Sequence, residues 1–318
     1  MIRAMLPTDA LALGLGRGKN KRQPLTALTW PRTPPESDRP TLLSLLRHAL
    51  IPGPGAGHVG VAITAGQISG FVMLRPRAAG LVWDVVHLAT TTGEVAVELA
   101  RWAQERALAS RGRRIMIDTP DAGLGPEVAR QAGFEQYASG ATYRLDAGFE
   151  RVTEDALPAR PRFRADEIGL FQLYSAAVPA SVRVAEAMTQ EEWAALYPGR
   201  KLWAPAVLGN SQDYVWEMGS RVVGWMRVTY GQRSQALDAL VHPMYEAYAD
   251  RMVRYGLTQM SPKVPVLSDV REYQGGVRAA LERAGFRPGP RFQAWYRALA
   301  SRVVEPGLAT LRAPVSPG

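Results

Sequence analysis

The sequence predicts a mixed α/β (α+β) chain built as two similar units in tandem, and three landmarks that recur at a nearly constant offset carry that prediction. Ile68-Ser69-Gly70-Phe71 returns as Val222-Val223-Gly224-Trp225, with the glycines 154 positions apart. Val86-His87 returns as Val241-His242, 155 apart, and Ala132-Gly133-Phe134 as Ala284-Gly285-Phe286, 152 apart. The expected layout is one unit over residues 1–146, a linker over 147–161, a second unit over 162–300 and a Pro/Gly/Ala-rich tail over 301–318.

Each element has a local cause. Ile2 to Met5 reads as a strand, and Thr8-Asp9 as the cap of a short helix weakened by glycines. Gly14 to Lys19 falls short of a phosphate loop, because Asn20 stands where Ser or Thr is needed. Pro31 to Pro40 reads as a loop and Thr41 to Leu50 as an amphipathic helix. Val59 to Thr64 and Ile68 to Leu74 form a hairpin across Ala65-Gly66-Gln67, and the apolar run Leu81 to Leu88 reads as a central strand. A helix is expected from Glu94 to Ser110, ended by Gly112, then a strand at Ile115 to Ile117 and a helix at Pro126 to Gln131. Two short strands, Phe134 to Tyr137 and Ala141 to Leu145, should close the first unit.

The second unit restarts at Arg162-Phe163-Arg164 with a strand and continues with a helix over Asp166 to Ala177. Another helix spans Thr189 to Leu196, with Thr189 and Glu192 spaced as a capping box. Strands follow at Val222 to Val228 and Ala236 to Val241, the latter stopped by Pro243. A helix from Tyr245 to Gly256, a strand at Val264 to Leu267, a helix at Gly276 to Ala284 and a strand at Arg291 to Ala298 complete it.

Composition narrows the function. The chain has no cysteine, which excludes disulfides and a thiolate nucleophile, and its four histidines lie in no metal-ligand spacing. No apolar run reaches the ~20 residues of a membrane span, and the opening residues carry no signal-like core, so a cytoplasmic protein is expected. The net charge of +9 is split +5 and +4 between the halves, which argues against a nucleic-acid surface despite basic clusters at Arg17 to Arg22 and Arg111 to Arg114.

These features together resemble the Gcn5-related N-acetyltransferases (GNAT). The residues that carry the likeness are the (Ile/Val)-x-Gly-(Phe/Trp) hairpin strand, the apolar strand ending at Leu88 or His242, the helix after it, and Ala-Gly-Phe before the last strands. The resemblance implies two tandem GNAT-like domains. It further implies an acyl-CoA cosubstrate, such as acetyl-CoA, entering where the strand before the long helix splays from its neighbour, and a small-molecule amine or protein as acceptor. A catalytically silent scaffold that binds a ligand or a protein partner is the alternative. The family's glycine-rich pyrophosphate loop is missing twice: Glu246, Ala247 and Ala249 occupy it in the second half, and Ala89-Thr90-Thr91-Thr92-Gly93 in the first. The expected acyl-CoA site is therefore Leu88, Ala89, Thr90, Thr91, Thr92 and Gly93, and the second half is expected not to bind. Asp84 is the candidate base, with Asp238 as its counterpart; both also read as structural groups. His87 and His242 read as strand-end residues. No metal is expected.

Overall fold

A computed structural model describes residues 1–15, 25–31, 57–151, 159–187, 189–196 and 211–299. The basic cluster Arg17 to Arg22, the helix expected at Thr41 to Leu50, most of the expected linker and the tail lie outside the described residues.

The first half begins with β1 (Ile2–Ala4), α1 (Pro7–Leu15) and β2 (Thr26–Ala27). It continues with β3 (His58–Thr64), β4 (Gln67–Arg77), β5 (Val82–Thr90), α2 (Gly93–Ala109), β6 (Arg114–Pro120), α3 (Leu124–Gln131) and β7 (Glu135–Leu145). The second half holds β8 (Arg160–Pro161), α4 (Glu167–Ala177), α5 (Ala180–Glu186) and α6 (Gln190–Leu196). It ends with β9 (Ser211–Met218), β10 (Arg221–Thr229), β11 (Gln235–Val241), α7 (Ala249–Thr258), β12 (Val266–Arg271), α8 (Gly275–Arg283) and β13 (Arg287–Ala298). The same step occurs in both: three antiparallel strands, then a parallel partner reached through a helix, as β3-β4-β5/β6 and as β9-β10-β11/β12.

Local chemistry explains most elements. The β3–β4 turn places Ala65 and Gly66 at positive φ, the backbone a tight hairpin demands. Thr92 caps α2 by accepting the Val95 N–H at 3.4 Å, and Ala96, Leu99, Ala100, Ala103 and Ala107 are buried along that helix. The left-handed residue that ends α2 is Arg111 (φ 62°), not the expected Gly112. Gly112 is needed for room instead, since a Cβ there would stand 2.6 Å from the Trp83 ring. Thr189 and Glu192 do form the reciprocal capping box. In place of a helix from Tyr245, Pro243–Tyr248 forms a 3-10 turn and α7 starts at Ala249.

The largest departure from the sequence expectation lies at the chain's two closing segments. The first half ends in one long strand, β7, not two short ones, and the closing strands of the two halves cross over. One sheet runs β1-β3-β4-β5-β6-β13-β7-β12-β11-β10-β9-β8. Thus β13 lies against β6 of the first half, and β7 lies against β12 of the second. Trp295 of β13 is buried in the first-half core with Leu74, Leu88, Leu99 and Ile115, and its Nε1 donates to Thr119 Oγ1 at 3.0 Å. Tyr143 and Leu145 of β7 are buried in the second-half core with Met226, Leu237, Val266 and Leu281. A third cluster packs Leu170, Leu173, Tyr174 and Trp193 against Val215 and Trp225.

Gly140 shows how closely the exchanged strands fit. A Cβ there would meet the Val270 carbonyl oxygen and stand 2.6 Å from the Phe292 ring. Gly140→Ala is expected to cost about 1–3 kcal/mol, read as a lower urea midpoint at unchanged slope.

Candidate functional site

Parallel pairing fails early in both halves, and the two openings differ. Between β5 and β6 the register runs only from Val82/Arg114 to Val85/Ile117. The gap beyond is filled by the chain itself. β2 pairs Thr26 with Thr90 and Ala27 with Ala89. The Leu28 N–H donates to the Leu88 carbonyl at 2.8 Å, the Leu88 N–H reaches Thr29 Oγ1 at 3.4 Å, and the Trp30 N–H donates to the Asp118 carbonyl at 2.7 Å. Residues 26–30 therefore bond to both walls of the crevice, and the Leu28 side chain is buried in the first-half core. Sequence reading missed this plug, because nothing local in Thr26-Ala27-Leu28 marks a strand that pairs across some 60 positions.

The six residues expected to hold acyl-CoA meet that plug. Leu88, Ala89 and Thr90 have backbone partners in residues 26–29. The Thr90 hydroxyl donates to the Thr92 carbonyl at 2.8 Å, and the Thr91 hydroxyl to the Ser69 carbonyl at 3.2 Å. Thr92 is the helix cap. Gly93 is open, with nothing within 4 Å of an added Cβ. It opens onto a groove of about 360 Å³ that Glu94 and Glu127 also line. Asp84, the candidate base, is buried and paired with Arg77 at 2.7 Å. His87 stacks on Phe71, and a His242 ring nitrogen accepts the Met244 N–H at 3.2 Å. Burial, then the nearby Arg221, holds the His242 pKa below its usual value.

In the second half β11 and β12 pair only at Gln235/Val266 and Ala236/Leu267. Among the described residues no strand enters the gap beyond. One side chain reaches into it: Gln274 Nε2 donates to the Ala239 carbonyl at 3.0 Å. At the outer end, a Cβ on Gly276 would stand 2.9 Å from the Glu246 carboxyl carbon, so this exposed glutamate lies against the start of α8.

The inner end of the opening leads to a cavity between the halves, in two lobes of about 150 and 160 Å³ that share Trp30, Asp118, Glu186 and Arg271. Asp238, two residues past the last β11–β12 pair, lines the second lobe with Trp225, Tyr174 and Trp193. Its carboxyl has no hydrogen bond or ion pair among the described residues. Burial raises its pKa first and the Asp269 charge second, to about 7, against the pull of Arg227. Arg227, across the ladder from Asp238, is held by Asp213 at 2.6 Å. The two aspartates that look equivalent in sequence therefore differ: Asp84 makes a close ion pair with Arg77, whereas the arginine across from Asp238 is paired with Asp213.

In the same lobe as Asp238, the Arg271 guanidinium lies 4.8 Å over the Phe292 ring and reaches Glu186 at 3.6 Å and Asp118 at 3.7 Å. Burial raises the pKa of Glu186, although Arg271 and the Tyr137 hydroxyl, donating at 3.0 Å, oppose that.

No family model matches the chain, and no curated protein matches it. Solved structures do. A GCN5-related N-acetyltransferase from Sphaerobacter thermophilus superposes with a TM-score of 0.56 at 12% identity, over 95% of this chain and 96% of that one. A tandem GNAT protein from the clavulanic acid biosynthesis pathway gives 0.52 at 16% identity, over 95% and 99%. A putative acetyltransferase from Pyrococcus horikoshii gives 0.54 at 11%, over 94% and 89%. Over nearly its whole length, this chain has the fold of the GNAT N-acetyltransferases.

Proposed function

We propose that the protein is an acyl-CoA-dependent N-acyltransferase that works from the second-half crevice, with Asp238 as general base. The observation that carries this is a carboxyl with a pKa of about 7 and no hydrogen bond among the described residues, beside a divergence of β11 and β12 that no described strand fills. A base poised near neutrality can take a proton from an amine as its nitrogen attacks. The cosubstrate supplies an activated thioester carbonyl. The new bond is C–N, the bond broken is C–S, Asp238 holds the amine proton, and CoA leaves as thiolate.

The residues around the crevice fit the inner part of such a cosubstrate better than its phosphates. The Ala239 carbonyl, now held by Gln274, is a free-standing acceptor on the crevice wall once that side chain turns away. Glu246 makes the entrance acidic and opposes a pyrophosphate there. Glu246→Gln is expected to tighten acetyl-CoA binding about fivefold, the effect of removing roughly 1 kcal/mol of repulsion. Calorimetric titration of the full chain measures this. A silent scaffold is the second reading, favoured by the plug at residues 26–30, which closes one of the two crevices. Acetyl-CoA titration followed by an acetyl-transfer assay with a panel of amines decides between them. Absence of both binding and transfer would leave the scaffold.

A further inference from the structure

We infer that the cavity between the two halves binds a compact amino acid, its ammonium at Asp238 and its carboxylate at Arg271 and Trp30. As an acceptor site this rests on the transferase reading; as a binding site it stands on the following geometry. The cavity wall carries both kinds of polar group. Asp238 is an acceptor with no partner among the described residues, set among Trp225, Tyr174 and Trp193. A carboxylate backed by aromatic faces suits an ammonium ion. Also lining it are two buried donors, Arg271 Nη1 and Trp30 Nε1, that have no hydrogen-bond partner among the described residues. Both residues line both lobes.

Buried donors without partners are rare in folded proteins, and each costs stability that a ligand oxygen would restore. Arg271 keeps cationic character for such an oxygen, because its two acidic neighbours stand at 3.6 and 3.7 Å, longer than close ion pairs. A diamine would leave Arg271 and Trp30 unanswered, and a simple carboxylic acid would meet Asp238 with like charge. One molecule bearing both groups answers both. Lobes of about 150 and 160 Å³ limit it to a small one.

The test is calorimetry on the full chain with glycine, β-alanine, 4-aminobutyrate and 5-aminovalerate, set against butylamine and butyrate. At least one amino acid is expected to bind tenfold or more tightly than either single-group control. Arg271→Met and Asp238→Asn should each remove that advantage. Trp30→Phe, which keeps the ring stacked on Phe292, should reduce it several-fold while the fold, followed by circular dichroism, is unchanged. Equal binding of butylamine and the amino acids would overturn the inference, as would no binding by any of the six. Amino-acid binding without acetyl transfer would keep this site and end the transferase reading. Transfer confined to simple amines would do the reverse.

Discussion

Truncation after Phe286 is expected to unfold the first half of the chain, although every residue removed belongs to the second. β13 lies between β6 and β7, so its loss leaves β6 with an open edge through the middle of the sheet. Trp295 leaves the first-half core, and with it the hydrogen bond to Thr119. A Trp→Ala change in a core alone costs about 3–5 kcal/mol, and the whole strand carries Phe292 and Ala294 into burial as well. That sum is comparable with the 5–15 kcal/mol by which a domain is stable at all. Far-ultraviolet circular dichroism during urea unfolding should show no cooperative transition for residues 1–286. The point variant Trp295→Ala should keep a transition at a markedly lower midpoint. An independent, cooperative transition from residues 1–151 on their own would contradict the strand exchange.

Asp238→Asn is the second large effect. Acetyl transfer should fall by about 10²- to 10⁴-fold, the range of a single positioned base. The wild-type rate should rise with pH through about 7, where Asp238 loses its proton, and the variant should lack that inflection. The stability effect has the opposite sense. A carboxyl whose pKa is raised on folding keeps a proton that the unfolded chain releases, so its ionisation penalises the fold as pH climbs from about 4 to about 7. The variant should match the wild type near pH 4 and melt higher at pH 8. Lower activity with higher alkaline stability is a pairing that a merely damaged fold would not give.

Much of the architecture was legible because it is local. Hairpin glycines, the Thr92 cap, the Thr189–Glu192 box and the apolar run of β5 each act within a few residues. The repeated Gly70 and Gly224 both pair near the end of the third strand, and Gly-Phe stands just ahead of β7 and β13, but the histidines do not match: His87 lies within β5 opposite Met73, whereas His242 follows the end of β11. What stayed hidden depends on distant partners. The pairing of Thr26 with Thr90 leaves no periodicity in the sequence, nor does the passage of β13 into the other half. The candidate base was similarly undecidable from spacing. Asp84 and Asp238 occupy matching strands, but Asp84 is paired to β6 and held by Arg77, whereas Asp238 lies past the last β11–β12 pair and its neighbour Arg227 is turned to Asp213.

The crossing of β7 and β13 also bears on how such a chain can change over time. In two beads on a string, a half whose crevice had closed could decay or be deleted without harm. Here that half supplies Tyr143 and Leu145 to its neighbour's interior, and Glu192 and the α5 carbonyls of the second half grip Arg114 of the first. A change in either half therefore reaches the interior of the other. A nick between residues 151 and 159 should leave two fragments that co-purify, as in split-reporter complementation, and neither should persist alone. The half with the filled crevice is part of the other's frame.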